Sequence, residues 1–293
     1  MHYLLVALAV AFSQVHGLPV KRDLAPTDVQ ILQFALTLEH AENAFYTEAL
    51  SKFDEQSFRD AGFADFTRGR FVEISQHEAT HVQFLTAKLG SDAPAACTYN
   101  FPYSDVQSFV ALSQVLEGVG TSAYLGSTHF LQNEDNLAGA TSILTIESRQ
   151  QAWIAGAISQ TNPWSGSFDT PLGFNQVFTL ASPFIVSCPP SNPTLPFSPF
   201  PNLNISDNAQ PGQSVQLTYN GDASNGGQFL AIFSGLNTTF VPINSDKTAT
   251  LPSRLQGTTY ALVSSDGSTV TDGSTVAGPA ILVFPFDSST DNS

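Results

Sequence analysis

Positive charge is scarce in this chain: ten Lys and Arg stand against 25 Asp and Glu, a formal charge of −15. Such a balance offers no basic surface to a phosphate backbone or an anionic lipid, which argues against nucleic-acid and membrane partners. Cysteine is scarce too. Cys97 and Cys188 are the only two, too few for a cysteine-rich scaffold or a four-thiolate metal site. In an oxidising compartment their default state is one disulfide. Long apolar runs are absent as well. The N-terminal run, Leu4 to Phe12, is too short to span a bilayer. Followed by small and polar residues to Gly17, it has the form of a secretory signal over residues 1–17. Lys21-Arg22 is a dibasic processing pair that closes a pro-segment, 18–22. Losing that pair takes the charge from −15 to −17. The tail, 287–293, is polar and lacks the hydrophobic stretch that precedes a lipid anchor.

What is present divides the chain near residue 188. Residues 23–188 are dominated by long apolar-periodic segments. A proline-rich stretch, 189–201, reads as a stiff extended linker. Residues 202–286 are rich in Ser, Thr, Gly and Asn, with short β-branched runs between turn signals. Strands are expected at Ser214–Tyr219, Phe229–Ser234, Thr239–Ile243, Thr248–Leu251, Thr259–Ser264 and Ala280–Phe284. Their short, regular spacing predicts a small immunoglobulin-like β-sandwich. Asn204-Ile-Ser and Asn237-Thr-Thr are glycosylation sequons.

In the first half the three-and-four spacing predicts four long helices. The first follows the N-cap Thr27 and runs to about Phe53. The second spans Gly69 to Leu89, with Gly90 as its stop. The third starts after Ser104 and runs to about Leu131, and the fourth covers Leu137 to Ile158. A short fifth helix is expected within Pro171–Leu180. The link from Gly90 to Ser104 can reach roughly 45 Å, longer than a helix of about 20 residues at about 30 Å. It can therefore cross the length of a bundle and start the third helix parallel to the second.

The chemistry-bearing motif is His77-Glu78-Ala79-Thr80-His81. Alone it matches the zinc-protease helix signature. A zincin needs a third ligand, and none is placed for it: Phe84 stands where one class requires glycine, and the next glutamate is Glu117. Glu39, Glu117 and Glu147 each lie within their own apolar-periodic segment. One Glu-x-x-His plus carboxylates from three other helices is the ligand pattern of a dimetal site in a four-helix bundle. An oxygen-rich set of this kind favours iron or manganese over zinc. The competing reading leaves these glutamates solvated, or paired with Arg68, Arg70 or Arg149.

Three segments carry a resemblance: Leu36-Thr-Leu-Glu-His-Ala-Glu-Asn-Ala-Phe-Tyr46, His77-Glu-Ala-Thr-His-Val-Gln-Phe-Leu85 and Ile143-Leu-Thr-Ile-Glu-Ser-Arg149. In that order, each on an expected helix, they resemble the secreted ferritin-like proteins of fungi. That group includes stress-response and sexual-development proteins and is similar to plant desiccation-related proteins. The resemblance implies a ferritin-like four-helix bundle with Glu39, Glu78, His81, Glu117 and Glu147 as metal ligands. Gln150 stands where the family's second histidine belongs, a weaker ligand that puts one of two metal positions in doubt. Glu42 and Tyr46 are expected beside the ligands, Tyr46 as a redox-active neighbour, with His77 a candidate substitute for the missing histidine.

Two functions from different classes follow. One is a secreted oxidoreductase or metal-sequestering protein acting in stress or development, with dioxygen- or peroxide-directed chemistry. The other is a non-catalytic cell-wall or matrix scaffold that reuses the bundle. The β-half is a candidate tether to wall polysaccharide, with Tyr219 and Tyr260 as its thin aromatic basis, since it holds no Trp. The sequence is silent on oligomeric state.

Overall fold

The computed structural model describes residues 26–207, 209–220 and 228–286. The expected signal sequence, the dibasic pair and the polar tail lie outside the described residues. Among those described, no helix is long and apolar enough to cross a membrane.

Four long helices form the first half: α1 (Asp28–Lys52), α3 (Phe66–Leu89), α4 (Val106–Ser127) and α5 (Glu134–Trp153), with a six-residue α2 (Glu55–Asp60) between the first two. Local chemistry sets their starts. Thr27 and Gln30 form a capping box on α1. Asp105 caps α4 one residue past the expected Ser104, and Asn133 caps α5. The Asp28 carboxylate accepts from the Gln132 and Asn133 amides and the Asn136 side chain, tying the starts of α1 and α5 together. The helix expected through Ile158 ends as α-helix at Trp153 and continues as a π turn over Ile154–Ile158. α2 was not anticipated, because one and a half turns carry too little periodicity.

The crossover is visible in the packing. Phe71, near the start of α3, meets Phe109, near the start of α4, with ring centroids 5.0 Å apart. Two neighbouring helix starts make α3 and α4 parallel, so residues 90–104 return along the bundle. Two apolar clusters fill the ends. One holds Phe45, Phe58, Phe71, Phe109 and Ile154. The other holds Leu36, Leu85, Val119, Ala140 and Ile143. The polar centre described below lies between them.

A short helix, α6 (Phe174–Ala181), follows, then the strand pair β1 (Thr98–Tyr99) and β2 (Ile185–Ser187). Beside that pair Cys97 and Cys188 form the expected disulfide. The proline-rich stretch lies against the bundle. Asn192 exchanges two hydrogen bonds with the Ala95 backbone, at 2.9 and 2.7 Å. Phe197 is buried, stacked on Phe174 at 4.6 Å and edge-on to Phe34 at 5.0 Å.

The second half is a two-sheet β-sandwich. One sheet orders β3 (Leu203–Ile205), β4 (Ser214–Tyr219) and β7 (Thr248–Thr250). The other orders β6 (Asn237–Pro242), β5 (Phe229–Ser234), β8 (Gly257–Ser264) and β9 (Thr275–Phe284). Pairing the first, second and fifth strands against the remaining four is an immunoglobulin-type topology. β3 was missed, since three residues give no alternation to read. Val215, Leu217, Leu230, Ile232, Ala261 and Val263 share the core between the sheets. The outer face of the four-stranded sheet is not free. Ala231, Phe233, Tyr260 and Leu262 join the same apolar cluster as Phe34, Val119 and Phe174 of the helical half.

The expected sugar-stacking tyrosines are excluded by this packing. Tyr219 and Tyr260 are both buried; Tyr219 donates to Gln228, and the Tyr260 hydroxyl sits 2.9 Å from Ser122 Oγ. Neither ring offers a face to a ligand.

Candidate metal centre

Each long helix contributes polar side chains at spacings that keep them on its inner face. α1 supplies Glu39, Glu42 and Tyr46, at three- and four-residue steps. α3 supplies Glu78 and His81. α4 supplies Glu117 and, seven residues on, Tyr124. α5 supplies Glu147 and Gln150. All nine are buried, with Glu39, Glu78, Glu117 and Glu147 wholly shielded. One ligand atom each from Glu39, Glu78, His81 and Glu147 falls within 4.8 Å of the others. That spread is one a single cation can bridge.

His81 is the hub. Its Nδ1 lies 3.1 Å from both Glu39 Oε2 and Glu78 Oε2. It is 3.4 Å from Glu147 Oε1, within ion-pair reach but outside hydrogen-bond geometry, since that oxygen has no hydrogen-bond partner. The Tyr124 hydroxyl donates to Glu39 Oε1 and the Tyr46 hydroxyl to Glu117 Oε1. The Gln150 amide donates to Glu78 Oε1 at 2.6 Å. Gly120 provides room: a Cβ there would come within 2.8 Å of Glu147 Oε2 and 3.1 Å of Glu42 Oε1.

Five carboxylates thus converge with one imidazole, and the electrostatics follow. Burial, then repulsion from Glu147, Glu39, Glu78 and Glu117, drives the Glu42 pKa well above the carboxylate range. Burial and the charges of Glu147 and Glu78 do the same to Glu117. Burial, only partly offset by His81, raises Glu78 to about 7. Glu147 reaches about 7 through burial and the neighbouring Glu78. Burial alone would lower His81, but Glu147, Glu39 and Glu78 outweigh it and hold the imidazolium. One imidazolium cannot balance five carboxylates, so without further cations most must stay protonated.

The donor set fits a metal. Glu117 Oε2, both oxygens of Glu147 and the Gln150 carbonyl are buried without a hydrogen-bond partner. Orphaned acceptors of this kind are rare in a folded core; a cation would satisfy them, and in its absence a proton shared between Glu117 and Glu147 would. Arginine does not satisfy them. Arg68 donates to the Phe53 and Leu50 carbonyls, Arg70 pairs with Glu73 and Arg149 is exposed.

The structure places Glu39, Glu42, Tyr46, Glu78, His81, Glu117, Glu147 and Gln150 in one cluster. Glu42 faces inward with Glu39, both buried. His77 does not join them: it is exposed, because it falls off the Phe71–Ile74–Glu78–His81–Leu85 stripe. It cannot replace the absent histidine, and its separation from buried His81 also removes the zinc-protease reading. Tyr124 and Gly120 escaped the sequence reading. The signal was there in the one- and two-turn spacing from Glu117, a residue for packing room and a hydroxyl on the same face. Asn204 and Asn237 are exposed on strands of the sandwich.

Residues 27–160 match the ferritin-like domain family. Over 190 residues the chain is 31% identical to Protein rds1 of Schizosaccharomyces pombe (strain 972 / ATCC 24843). That alignment covers 64% of this chain and 46% of the relative, so the chain spans about half the length of the curated protein it matches. The helical half of this chain is a ferritin-like domain, with a β-sandwich packed against it.

Proposed function

We propose that the bundle holds a carboxylate-rich iron or manganese site, in a secreted protein that acts as an oxidoreductase or metal-binding protein in stress response or development. The observation that carries this reading is the set of orphaned oxygens on Glu117, Glu147 and Gln150, in a core with five glutamates. Divalent cations would satisfy those oxygens and neutralise the charge together. Glu39, Glu78, His81 and Glu147 would hold the metal, with Glu117 and Glu42 beside them. Bound iron or manganese would supply one-electron chemistry toward dioxygen or peroxide. The chain's own contribution is to exclude water, fix the carboxylates and hold protons on Tyr46 and Tyr124, whose pKa values burial and the adjoining glutamates raise well above the ordinary phenol. The disulfide is compatible with passage through an oxidising compartment.

The scaffold reading keeps one specific support. Tyr46, Tyr124 and Gln150 already occupy one oxygen each of Glu117, Glu39 and Glu78, which lowers the number of free ligand positions. Metal analysis separates the two. Protein purified without a metal-affinity column should carry iron or manganese, and Glu78→Ala should lose it. If wild type holds no more metal than that variant after incubation with either ion, the centre is a proton-neutralised core and the scaffold reading stands.

A further inference from the structure

Between the π turn and α6, residues 159–173 form a loop laid over the junction of the two halves. It carries Trp164 and Phe168, which are 58% and 61% exposed. Trp164 is one of only two tryptophans in the chain. The exposure is held in place. Asn162 exchanges hydrogen bonds with the Phe286 backbone at 2.8 and 2.9 Å. Ser165 Oγ accepts from the Thr258 amide at 2.8 Å, and Thr170 Oγ1 accepts from the Gly235 amide at 2.8 Å. The loop is clamped before, between and after the two rings. Singly exposed apolar side chains are ordinary; what sets these two apart is that both are large rings on one backbone segment tied down at three points.

Beneath the loop runs a polar seam between helix α4, the end of α5 and strand β8. Its two small openings share Gln151, Ser165 and Thr258. The lining is mixed: Gln114 and Asn162 stand at one end beside Val283 and Pro285, and Thr121 and Ser122 at the other beside Tyr260. The buried Thr121 hydroxyl has no hydrogen-bond partner. Asp169 is the one charged side chain along it. The openings, about 10 and 20 Å³, have room for roughly one water each. A ligand must therefore lie across the seam.

We propose that this loop and seam bind a neutral polysaccharide, its sugar rings laid on Trp164 and Phe168 and its hydroxyls over the amide-lined seam. Each part of that chemistry is matched. Pyranose rings present flat C–H faces that suit exposed aromatic rings. Their edges carry hydroxyls, donors and acceptors at once, which suit Gln, Asn, Ser and Thr. No cation lines the seam and the chain carries −15, so an anionic glycan would be repelled. Exposed Val283 lines one opening, and exposed Leu236 follows Gly235, which lies against Phe168, so a second copy of the chain is the competing occupant that the self-association arm of the test detects. The site differs from the β-domain tyrosine platform expected from sequence, and it does not rest on the metal reading.

The test is retention of the full chain, N-glycans removed, on insoluble β-glucan and chitin, with an anionic polysaccharide as control. Trp153→Phe leaves Trp164 as the sole indole, so its emission reports contact directly. Retention on a neutral glycan with a shift in Trp164 emission is expected. Trp164→Ala and Phe168→Ala should each weaken it about tenfold, with unchanged thermal midpoint because both side chains are exposed. Glu147→Gln, which alters the metal centre, should leave retention intact and so separates the two readings. The proposal is overturned if wild type is retained on neither neutral glycan, if it prefers the anionic one, or if Trp164→Ala binds as well as wild type. It is also overturned if the loop instead mediates concentration-dependent self-association that glycan does not compete.

Discussion

If the cluster holds metal as proposed, Gly120 and Gln150 should govern how much. A methyl at position 120 would press on Glu147 Oε2 at 2.8 Å and Glu42 Oε1 at 3.1 Å, moving carboxylates that must converge. Gly120→Ala should cost about 1–3 kcal/mol by overpacking and reduce bound metal. Gly118→Ala, whose nearest neighbour is Gln151 Cγ at an ordinary 3.7 Å, is the control, and helix propensity should make it neutral or stabilising by up to about 1 kcal/mol. Denaturant titration with metal analysis on both checks this; equal metal content would refute it. Gln150 offers only an amide where imidazole would bind iron or manganese more strongly. Gln150→His should raise metal per chain towards two at limiting metal, with Glu78→Ala as the negative reference.

At the scale of the helices, the centre makes metal-free protein sensitive to alkali. Glu78 and Glu147 titrate at about 7 in the fold against an ordinary 4.5. Between those values the folded state binds more protons than the unfolded one, so stability falls as pH rises. Glu42 and Glu117, also raised, act in the same direction, as does His81 above its unfolded value. For Glu78 and Glu147 the contribution is full below about pH 4.5 and is lost as pH passes 7. Each tenfold change in proton affinity is worth about 1.4 kcal/mol. Metal replaces protons, so iron- or manganese-loaded protein should show a flatter or reversed trend. Thermal midpoints from pH 4.5 to 8, with and without metal, decide it, and identical curves would argue against a metal centre. The crossover carries a second prediction. The Cys97–Cys188 bond closes a separation of 91 residues, worth roughly 4–5 kcal/mol by loop entropy alone. The β1–β2 pairing and Asn192 also hold that segment, so replacing both cysteines with Ala should cost less than the full amount in urea.

The described helical and β halves pack against one another although they differ in class. The apolar cluster runs from Phe34 and Phe174 through Phe197 to Phe233, Tyr260 and Leu262. Ending the chain after residue 188 would expose Phe34, Phe174 and the α4 surface under Tyr260. The truncated protein should bind a hydrophobic dye, aggregate and lose metal, because α4 also carries Glu117. A truncation that melts cooperatively at the wild-type temperature with full metal would show that the sandwich is an independent appendage.

The bundle, its four long helices and most residues of its centre were legible in the sequence, Tyr124 and Gly120 excepted. Helical spacing is local, and five glutamates among apolar neighbours have one inner face each. Short β-branched runs between Gly, Asn and Asp turn signals placed most strands of the sandwich. Three features depended on which surfaces meet. His77 and His81 read alike in sequence, yet only the packed stripe decides that one is buried. Phe229-Leu-Ala-Ile-Phe233 lacks the alternation of a half-exposed strand, the trace of burial on both faces, but nothing local says what covers the second. Residues 189–201 read as an extended linker from their prolines, while the cavity beside Phe34 and Phe174 decides that Phe197 fills it. Composition and period belong to the chain alone; the docking of the sandwich, the pinning of the Trp164 loop and the convergence on Gly120 belong to contacts between residues far apart in sequence, and only tertiary packing could choose them.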